Sequence, residues 1–302
     1  MTAIGVVGLG AMGSRIAGRL ASVGHEVYVT NRTRARADAL IDQGAIWCDS
    51  PRDTARSADV VISMVTDSAA LEAVASGPDG LLAGLSSGKV HVDMSTVSPT
   101  ASRALAERVS ARGASMVAAP VSGSLPAVEQ GTLSIIAGGD ADAYTRVEPL
   151  LRQLGRTVTF VGDNGHALLL KLAINISLGV QMLAFSEGLL LAERGGVARQ
   201  VALDVLASST IGSPMLQARA PLLLDLPDRA WFDVTQMQKD IRLALDSARA
   251  LGVPLPSTEV ADDMLTSARA RGYEHRDIAA LFRVLSETDA TTENPEPEST
   301  TT

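Results

Sequence analysis

The hydrophobic residues of the first half of the chain follow two alternating patterns. From residue 3 to about 161, short runs rich in β-branched residues alternate with segments whose apolar residues recur every three or four positions. The short runs predict strands and the periodic segments predict helices. Seven strands are predicted, in the runs AIGVVG, EVYVT, DVVISMV, KVHVDMS, ASMVAAP, LSIIAGG and VTFVG. This alternation is typical of a parallel sheet that is covered by helices on both faces.

The second half of the chain has a different pattern, because strand signals end after about residue 163. Long helical periodicity predicts helices over 165–194, 199–209, 213–225, 236–251, 257–271 and 277–287. We therefore predict a doubly wound α/β Rossmann domain over 1–163 and an all-α domain over 164–288. Residues 289–302 are polar and rich in Thr and Pro, which predicts a disordered tail.

Composition narrows the possible partners of the protein. The 302 residues are 46% hydrophobic, which is enough for a substantial core. The net charge of −8 disfavours nucleic acid and anionic membranes as partners. Residues 172–186, the longest uncharged stretch of the most apolar region, are too few to span a bilayer, which indicates a buried helix. A single cysteine and the lack of a secretory pattern at the N-terminus favour the cytoplasm.

A glycine-rich loop follows the first predicted strand and opens a helix. Gly8, Gly10 and Gly13 have the G-x-G-x-x-G spacing, in which backbone N–H groups and a helix N-terminus receive a pyrophosphate. A structural turn is the alternative, but the strand and helix around the loop favour a dinucleotide. The predicted cofactor-binding residues of this loop are Gly8, Leu9, Gly10, Ala11, Met12 and Gly13.

The end of the second predicted strand bears on the choice of cofactor. NAD-specific sites usually place Asp or Glu there to bond the ribose 2′-hydroxyl, whereas a 2′-phosphate requires cations and hydroxyls. This chain has Asn31, Arg32 and Thr33, followed by Arg34. The sequence therefore favours NADP over NAD, unless the arginines are only solvated surface charges.

Lys171 lies inside the apolar run GHALLLKLAIN, where a buried ammonium is costly unless it is paired. Asn175 is four residues later, so the two side chains share one face of the predicted helix. We take Lys171 as a catalytic candidate, with a snorkelling surface lysine as the alternative. The histidines at 25, 91, 166 and 275 are far apart in the sequence, and no metal is expected.

Four blocks of sequence together resemble the β-hydroxyacid dehydrogenase family. They are GLGAMG with NRT, then VDMSTVSP, then PVSGSLPAVEQGTL, and finally KLAIN followed later by QKDIRLAL. The segments AFSEGLLLAE and FDVTQMQKD are most similar to the glyoxylate/succinic semialdehyde reductase branch. The resemblance departs at Ala167, where the family usually has the second glycine of G-x-G-x-x-x-K. That methyl group puts the placement of the nicotinamide in question.

The resemblance implies roles for residues outside the glycine loop. Lys171 and Asn175 fall on the family's catalytic positions. The substrate-binding positions it implies are Thr96, Ser122, Gly123, Ser124, Phe232 and Asp240, and the further cofactor-binding positions are Asn31, Arg32, Thr33, Val65, Thr96 and Lys239.

The expected function is hydride transfer between NADP(H) and a short hydroxy acid, semialdehyde or keto acid, with Lys171 as general acid and base. Specificity of the 3-hydroxyisobutyrate or tartronate semialdehyde type stays open. Imine reductases have a similar architecture but usually lack a lysine at position 171, and a non-catalytic NADP-binding sensor would need neither Lys171 nor Asn175. The resemblance also implies a homodimer or homotetramer.

Overall fold

All seven predicted strands are present, and two very short strands join them. The computed structural model describes residues 2–123 and 125–290, the last three of these as backbone only, so Ser124 and the predicted tail over 291–302 lie outside the described residues. The strands are β1 Ala3–Val7, β2 Glu26–Thr30, β3 Ile46–Trp47, β4 Val60–Ser63, β5 Val90–Asp93, β6 Ser115–Ala118, β7 Val121–Ser122, β8 Leu133–Gly139 and β9 Gly155–Phe160.

The described strands form one sheet in the order β3-β2-β1-β4-β5-β6-β8-β7, with β9 paired to β8. Pairing from β3 to β6 is parallel, and the strand order reverses between β1 and β4. The all-parallel expectation is wrong at β8, which is antiparallel to both β6 and β7. The reason is that β7 turns back on β8 as a short hairpin, so β8 enters the sheet in the opposite direction.

Helices separate the strands and then form the second half of the chain. They are α1 Ala11–Ser22, α2 Asp38–Asp42, α3 Pro51–Ser57, α4 Ser68–Ala75, α5 Leu81–Gly84, α6 Pro99–Ser110, α7 Leu125–Glu129, α8 Ala141–Leu154, α9 Asn164–Arg194, α10 Arg199–Ser208, α11 Pro214–Leu224, α12 Val234–Leu251, α13 Pro256–Ala270 and α14 Leu281–Ala290. The six helices predicted after residue 163 are all present, and α14 continues to Ala290.

The sheet unit buries both faces of its central strands. Ile4 and Val6 belong to one apolar cluster, whereas their neighbour Val7 belongs to the other. Likewise, Ile62 and Val61 of β4 lie in opposite clusters. Because successive side chains of a strand alternate between its faces, these memberships show a sheet with helices packed on both sides. The doubly wound prediction is therefore confirmed.

The compact units divide after Ala173, ten residues later than the predicted boundary at 163/164. The first turns of α9 belong to the sheet unit because their apolar side chains pack there. Ala167 packs with Ala118 and Ile136, and Leu168 joins the apolar cluster that contains Val61. The long helix therefore begins in one unit and continues in the other.

The helical unit has its own apolar core, which includes Met237, Ile241 and Phe282. Helix α9 has the length and, with a mean hydropathy of 1.8, the apolar character of a membrane-spanning helix, a property that core helices of soluble proteins share. The sequence predicts a buried helix, but only 39% of its most apolar window is buried. Leu191 of this helix is 77% exposed.

Candidate functional site

The glycine loop between β1 and α1 is held in a conformation that two of its glycines require. Gly8 has a φ of +95°, and a Cβ atom there would lie 2.4 Å from the carbonyl oxygen of Met64. A Cβ atom on Gly13 would lie 1.9 Å from the carbonyl oxygen of Gly8. These two glycines are therefore needed for the tight turn and for close packing of helix on strand.

Gly10 differs, because the protein's own packing does not require it. A Cβ atom at Gly10 would meet no described protein atom within 4 Å. Gly10 caps α1 without a side-chain hydrogen bond, and the first turn of this helix carries no acidic residue. Open space beside free N–H groups at a helix N-terminus suits a pyrophosphate. Of the predicted loop residues, Leu9 and Gly13 are buried, Ala11 is exposed and Met12 is half-buried.

Asn31 anchors the glycine loop from the end of β2. Its Oδ1 accepts a hydrogen bond from the backbone N–H of Leu9 at 3.0 Å, and its Nδ2 donates to the carbonyl oxygen of Thr33 at 3.0 Å. The asparagine predicted as a cofactor ligand therefore also shapes the loop that receives the cofactor. Sequence reasoning missed this role because the bond joins residues in different elements.

Exposed cations follow Asn31 directly. Arg32 and Thr33 are exposed, and the guanidinium of Arg34 lies 5.5 Å from the centre of the Trp47 ring. A short 3₁₀ helix over Arg34–Ala37 follows, and it carries two further arginines, Arg34 and Arg36. Guanidinium groups and a hydroxyl therefore follow the end of the strand whose Asn31 holds the glycine loop, and such groups suit a phosphate.

The connections that follow β4 and β5 are joined by hydrogen bonds. The backbone N–H of Val65 donates to Ser95 Oγ at 2.9 Å, and Ser95 precedes Thr96 in the chain. Val65 also lies beside the glycine loop, because its Cγ1 would be 3.2 Å from a Cβ atom on Gly8. The structure therefore brings the predicted residues Gly8 and Val65 together at the carboxyl edge of the parallel strands, where open α/β sheets bind ligands.

A buried polar cluster beneath these connections was not identified from sequence. Asp93 Oδ1 accepts hydrogen bonds from Ser63 Oγ and Ser95 Oγ, both at 2.7 Å, and His91 Nε2 lies 2.8 Å from Ser63 Oγ. Burial disfavours the charged imidazole and lowers the pKa of His91 to about 4. The signal was present, since Ser, His and Asp interrupt strands that are apolar on both faces.

Ser122 and Gly123 lie at β7 and just after it. Ser122 is opposite Ser134 in the antiparallel pairing with β8, and it is half-buried. Gly123 is exposed and has a φ of +146°, where a Cβ atom would lie 2.8 Å from Leu133. The predicted substrate residue Ser124 lies outside the described residues.

Lys171 is in the second turn of α9 and is only 9% exposed. Its helix is anchored by Ala167, which is fully buried and packs on the sheet near Gly138. The Ala167 methyl that replaces the family glycine thus points into the core of the sheet unit. Asn175 is one helical turn after Lys171, and the division between the compact units falls between these two residues.

Asn175, Lys239 and Asp240 form a cluster in the helical unit. Asn175 Nδ2 donates to Asp240 Oδ2 at 2.5 Å, and the ammonium of Lys239 lies 2.7 Å from Asp240 Oδ1. Asn175 and Asp240 are each 2% exposed. The donor side of the Asn175 amide therefore faces Asp240, and the same carboxylate holds the Lys239 ammonium.

Phe232 is half-buried in the helical unit, on a segment fixed by a buried ion pair that the sequence did not suggest. Asp277 accepts hydrogen bonds from the backbone N–H groups of Trp231 and Phe232 at 2.9 and 3.1 Å. Arg219 Nη1 donates to both oxygens of Asp277 at 2.7 and 2.9 Å. These hydrogen bonds hold the backbone of Trp231 and Phe232 in place.

Comparison with known proteins agrees with this architecture. A family model described as the NAD binding domain of 6-phosphogluconate dehydrogenase matches residues 3–162. A second model, NAD-binding of NADP-dependent 3-hydroxyisobutyrate dehydrogenase, matches residues 165–285. These two matches cover nearly all of the described chain.

Individual relatives match along the same length. The chain is 32% identical to glyoxylate/succinic semialdehyde reductase 2, chloroplastic, of Arabidopsis thaliana, over 93% of this chain and 79% of that protein. It is 35% identical to 2-hydroxy-3-oxopropionate reductase of Escherichia coli (strain K12), over 93% of this chain and 96% of that protein. Among solved structures, Psf3 in complex with NADP+ and 2-OPP matches with a TM-score of 0.86 and 29% identity, over 93% and 99% of the two chains.

The fold, the open glycine loop and these matches together define an oxidoreductase that uses a nicotinamide cofactor. The chain belongs to the β-hydroxyacid dehydrogenase family.

Proposed function

We propose that the protein reduces the carbonyl group of a short semialdehyde or keto acid with NADPH, as glyoxylate and succinic semialdehyde reductases are named for doing. The observation that carries the proposal is Lys171, an almost fully buried lysine on an apolar helix with Asn175 one turn further on. Burial removes the hydration of the amine, and the family position of Lys171 gives it a chemical purpose.

The proposed mechanism assigns proton transfer to Lys171. The bound nicotinamide supplies or accepts the hydride. Lys171 hydrogen-bonds the substrate oxygen and stabilises the negative charge that develops there, then donates a proton in reduction or accepts one in oxidation. We assign Asn175 to orienting Lys171 or the substrate, because it lies one helical turn after Lys171 and Asp240 fixes its amide.

Recognition of the substrate carboxylate is assigned to neutral donors. Ser122, Gly123 and Ser124 belong to a Gly- and Pro-rich segment of the sequence whose hydroxyls and N–H groups suit a carboxylate, and Thr96 adds a further hydroxyl. Phe232 and Asp240 are proposed to shape the substrate pocket, and Lys239 to bind near the cofactor. Pocket shape decides among acids that differ chiefly in the spacing of carbonyl and carboxylate.

We propose NADP rather than NAD as the preferred cofactor. Arg32, Arg34 and Thr33 follow β2 at the position where NAD-specific sites carry an acidic residue. A planar guanidinium binds a 2′-phosphate through two parallel hydrogen bonds, which a ribose hydroxyl cannot match.

The test of the mechanism is NADPH oxidation with glyoxylate, succinic semialdehyde, tartronate semialdehyde and methylmalonate semialdehyde. We expect turnover by the native chain and a loss of about 10³-fold or more in kcat for Lys171→Ala, with NADPH still bound. Lys89→Ala is the control, since Lys89 bonds the carbonyls of Arg56 and Ala58 far from these residues in the chain. Native turnover by Lys171→Ala would refute the mechanism, and no turnover by the native chain would favour a non-catalytic NADP-binding protein.

The test of cofactor choice compares NADPH and NADH. We expect Arg32→Ala to weaken NADPH binding about tenfold and to leave NADH nearly unchanged, because only NADPH has the 2′-phosphate. Arg112→Ala, which removes another exposed arginine, is the control. An unaltered preference in Arg32→Ala would contradict the proposal.

We also propose that the protein self-associates and that it is located in the cytoplasm. The helical unit exposes Leu191, Val201 and Val205, the last to 62%, and a second copy of the chain would bury such residues. The single cysteine supports the cytoplasm.

A further inference from the structure

The connections after β4 and β5 are tied to each other at two points. The first bond runs from the Val65 N–H to Ser95 Oγ at 2.9 Å. The second runs from the Ser98 N–H to Ser68 Oγ at 3.0 Å. Two side-chain hydrogen bonds to backbone therefore set the spacing of these connections, beyond what the sheet pairing of β4 with β5 imposes.

The first tie is rooted in the interior of the sheet. Ser95 Oγ donates to Asp93 Oδ1, which also accepts from Ser63 Oγ. His91 Nε2 lies 2.8 Å from Ser63 Oγ on the far side. The four polar side chains of His91, Ser63, Asp93 and Ser95 are all 1% exposed or less.

The donor and the acceptor can be assigned in each hydrogen bond of this cluster. The Val65 N–H can only donate, so Ser95 Oγ accepts there and gives its own hydrogen to Asp93. Ser63 also gives its hydrogen to Asp93, so it must accept from a protonated His91 Nε2. A neutral imidazole has one N–H, and burial keeps this ring neutral by lowering the pKa of His91 to about 4.

Such a cluster is an expensive way to fill the interior of a sheet. Each polar group loses its hydration, and apolar residues of similar volume would pack there at least as stably. This series of hydrogen bonds ends at the backbone N–H of Val65, which lies beside Gly8 of the cofactor loop. In doubly wound sheets a dinucleotide lies across the point where strand order reverses, so its second half lies over the connections that follow β4 and β5.

We infer that Ser95 is a positioning residue that, anchored by Asp93, Ser63 and His91, sets the spacing of the β4 and β5 connections that receive the nicotinamide half of the cofactor. This inference rests on the cofactor binding in the proposed function and deepens it. Ser68 provides the second, independent tie between the same connections.

The experiment compares two ligands by calorimetry. NADPH has both halves of the dinucleotide, whereas 2′-phospho-ADP-ribose lacks the nicotinamide. For Ser95→Ala we expect the Kd for NADPH to rise about tenfold, as for the loss of one hydrogen bond, and the Kd for 2′-phospho-ADP-ribose to stay within about twofold of native. Ser68→Ala should act in the same direction, and the double variant should exceed either single one.

Ser102→Ala is the matched control. Ser102 is also fully buried, but its hydroxyl has no hydrogen-bond partner among the described residues, so both Kd values should stay native. Ser95→Thr retains the hydroxyl and should bind NADPH with nearly the native Kd. This variant provides the measurement if Ser95→Ala is too unstable. The inference is overturned if Ser95→Ala weakens both ligands equally, or neither, or if Ser102→Ala reproduces its effect.

Failure of the proposed function is separately visible. The two Kd values need no turnover, so a native chain that binds NADPH but reduces no acid contradicts the reductase proposal and leaves the binding comparison valid. A native chain that binds neither ligand contradicts both proposals.

Discussion

Two glycines of one loop, Gly10 and Gly13, are glycine for different reasons. At Gly13 a methyl group would overlap the backbone carbonyl of Gly8, whereas at Gly10 it would enter open space. Folding therefore explains the glycine at position 13, and a ligand that approaches the backbone explains the glycine at position 10.

We predict that Gly10→Ala folds normally but binds NADPH at least tenfold more weakly, because the methyl group occupies space that a pyrophosphate needs. Gly13→Ala should lower the free energy of unfolding by about 2 kcal/mol or more, as overpacking does. Urea unfolding and calorimetric titration measure the two effects. Native NADPH affinity in Gly10→Ala would show that the phosphate does not lie at this loop.

The buried ring of His91 predicts a pH dependence of stability. Its pKa is about 4 in the folded protein and 6.5 ordinarily, so between these values the unfolded chain binds a proton that the folded chain does not. This contribution is fully present above pH 6.5 and is lost as the pH falls toward 4. From His91 alone we expect the free energy of unfolding to be about 2 kcal/mol lower at pH 5 than at pH 7.5.

Urea unfolding at the two pH values checks this expectation. His91→Gln can still donate to Ser63 but does not titrate, so it should lack that share of the pH dependence. Equal losses of stability in both chains would assign the pH dependence to other groups.

At the scale of elements, α9 shows how a family departure can be harmless. The Ala167 methyl packs against Ala118, Ile136 and the space above Gly138. We expect Ala167→Gly to lower the free energy of unfolding by about 1–2 kcal/mol, through helix propensity and a small cavity, and to leave the NADPH Kd unchanged. Thermal unfolding and titration test this. A changed Kd would mean that the methyl group does influence the cofactor, as the sequence suggested.

The Arg219–Asp277 pair joins α11 to the segment around Phe232, and both side chains are buried. Removing one partner leaves a buried charge, so Asp277→Ala should lower the free energy of unfolding by about 3–5 kcal/mol. The double variant Arg219→Met with Asp277→Leu should recover only part of this loss, because no charge remains but the backbone N–H groups of Trp231 and Phe232 lose their acceptor. Denaturant titration of the native chain, Asp277→Ala and the double variant measures these free energies of unfolding. Glu193→Gln, which breaks the more exposed Arg199–Glu193 pair, should cost about 1 kcal/mol or less.

Elements with a long enough pattern were predictable from sequence, and very short ones were not. The seven longer strands follow from short runs rich in β-branched residues, and the six C-terminal helices follow from an apolar period of 3.6 residues. β3 and β7 have two residues each, which is too short for any period, and the direction of β8 depends on the hairpin that β7 makes. The exposed side of α9 was also missed, because composition does not show which neighbours cover a helix.

For the candidate site, the sequence identified what is local. The glycine loop, and Lys171 with Asn175, lie within single stretches of chain and are proposed from spacing, apolar surroundings and the family resemblance. The bond between Ser63 and Asp93 spans 30 positions, and the one between Arg219 and Asp277 spans 58. Such partners are brought together by tertiary structure alone, so only their unusual polarity in apolar surroundings could have indicated them.

At the scale of the whole molecule, the apolar surface of the helical unit predicts self-association. Val201 and Val205 share one exposed face of α10, and Leu191 is exposed at the end of α9. We expect the native chain to be a dimer or tetramer by light scattering, and Val201→Glu with Val205→Glu to shift it toward monomer, because charges are costly in an apolar interface. Gln200→Glu, on another face of α10, is the control. A monomeric native chain would contradict the prediction.

The double hydrogen bond of Asn31 separates the shape of the glycine loop from the choice of coenzyme. An aspartate at this position still accepts from the Leu9 N–H, so the loop keeps its anchor, while the bond to the Thr33 carbonyl is lost. The new carboxylate would repel a 2′-phosphate and could accept from a ribose hydroxyl. On the proposed preference for NADP, the single nucleotide change from asparagine to aspartate would give evolution or a protein engineer a short route from one dinucleotide pool of the cell to the other.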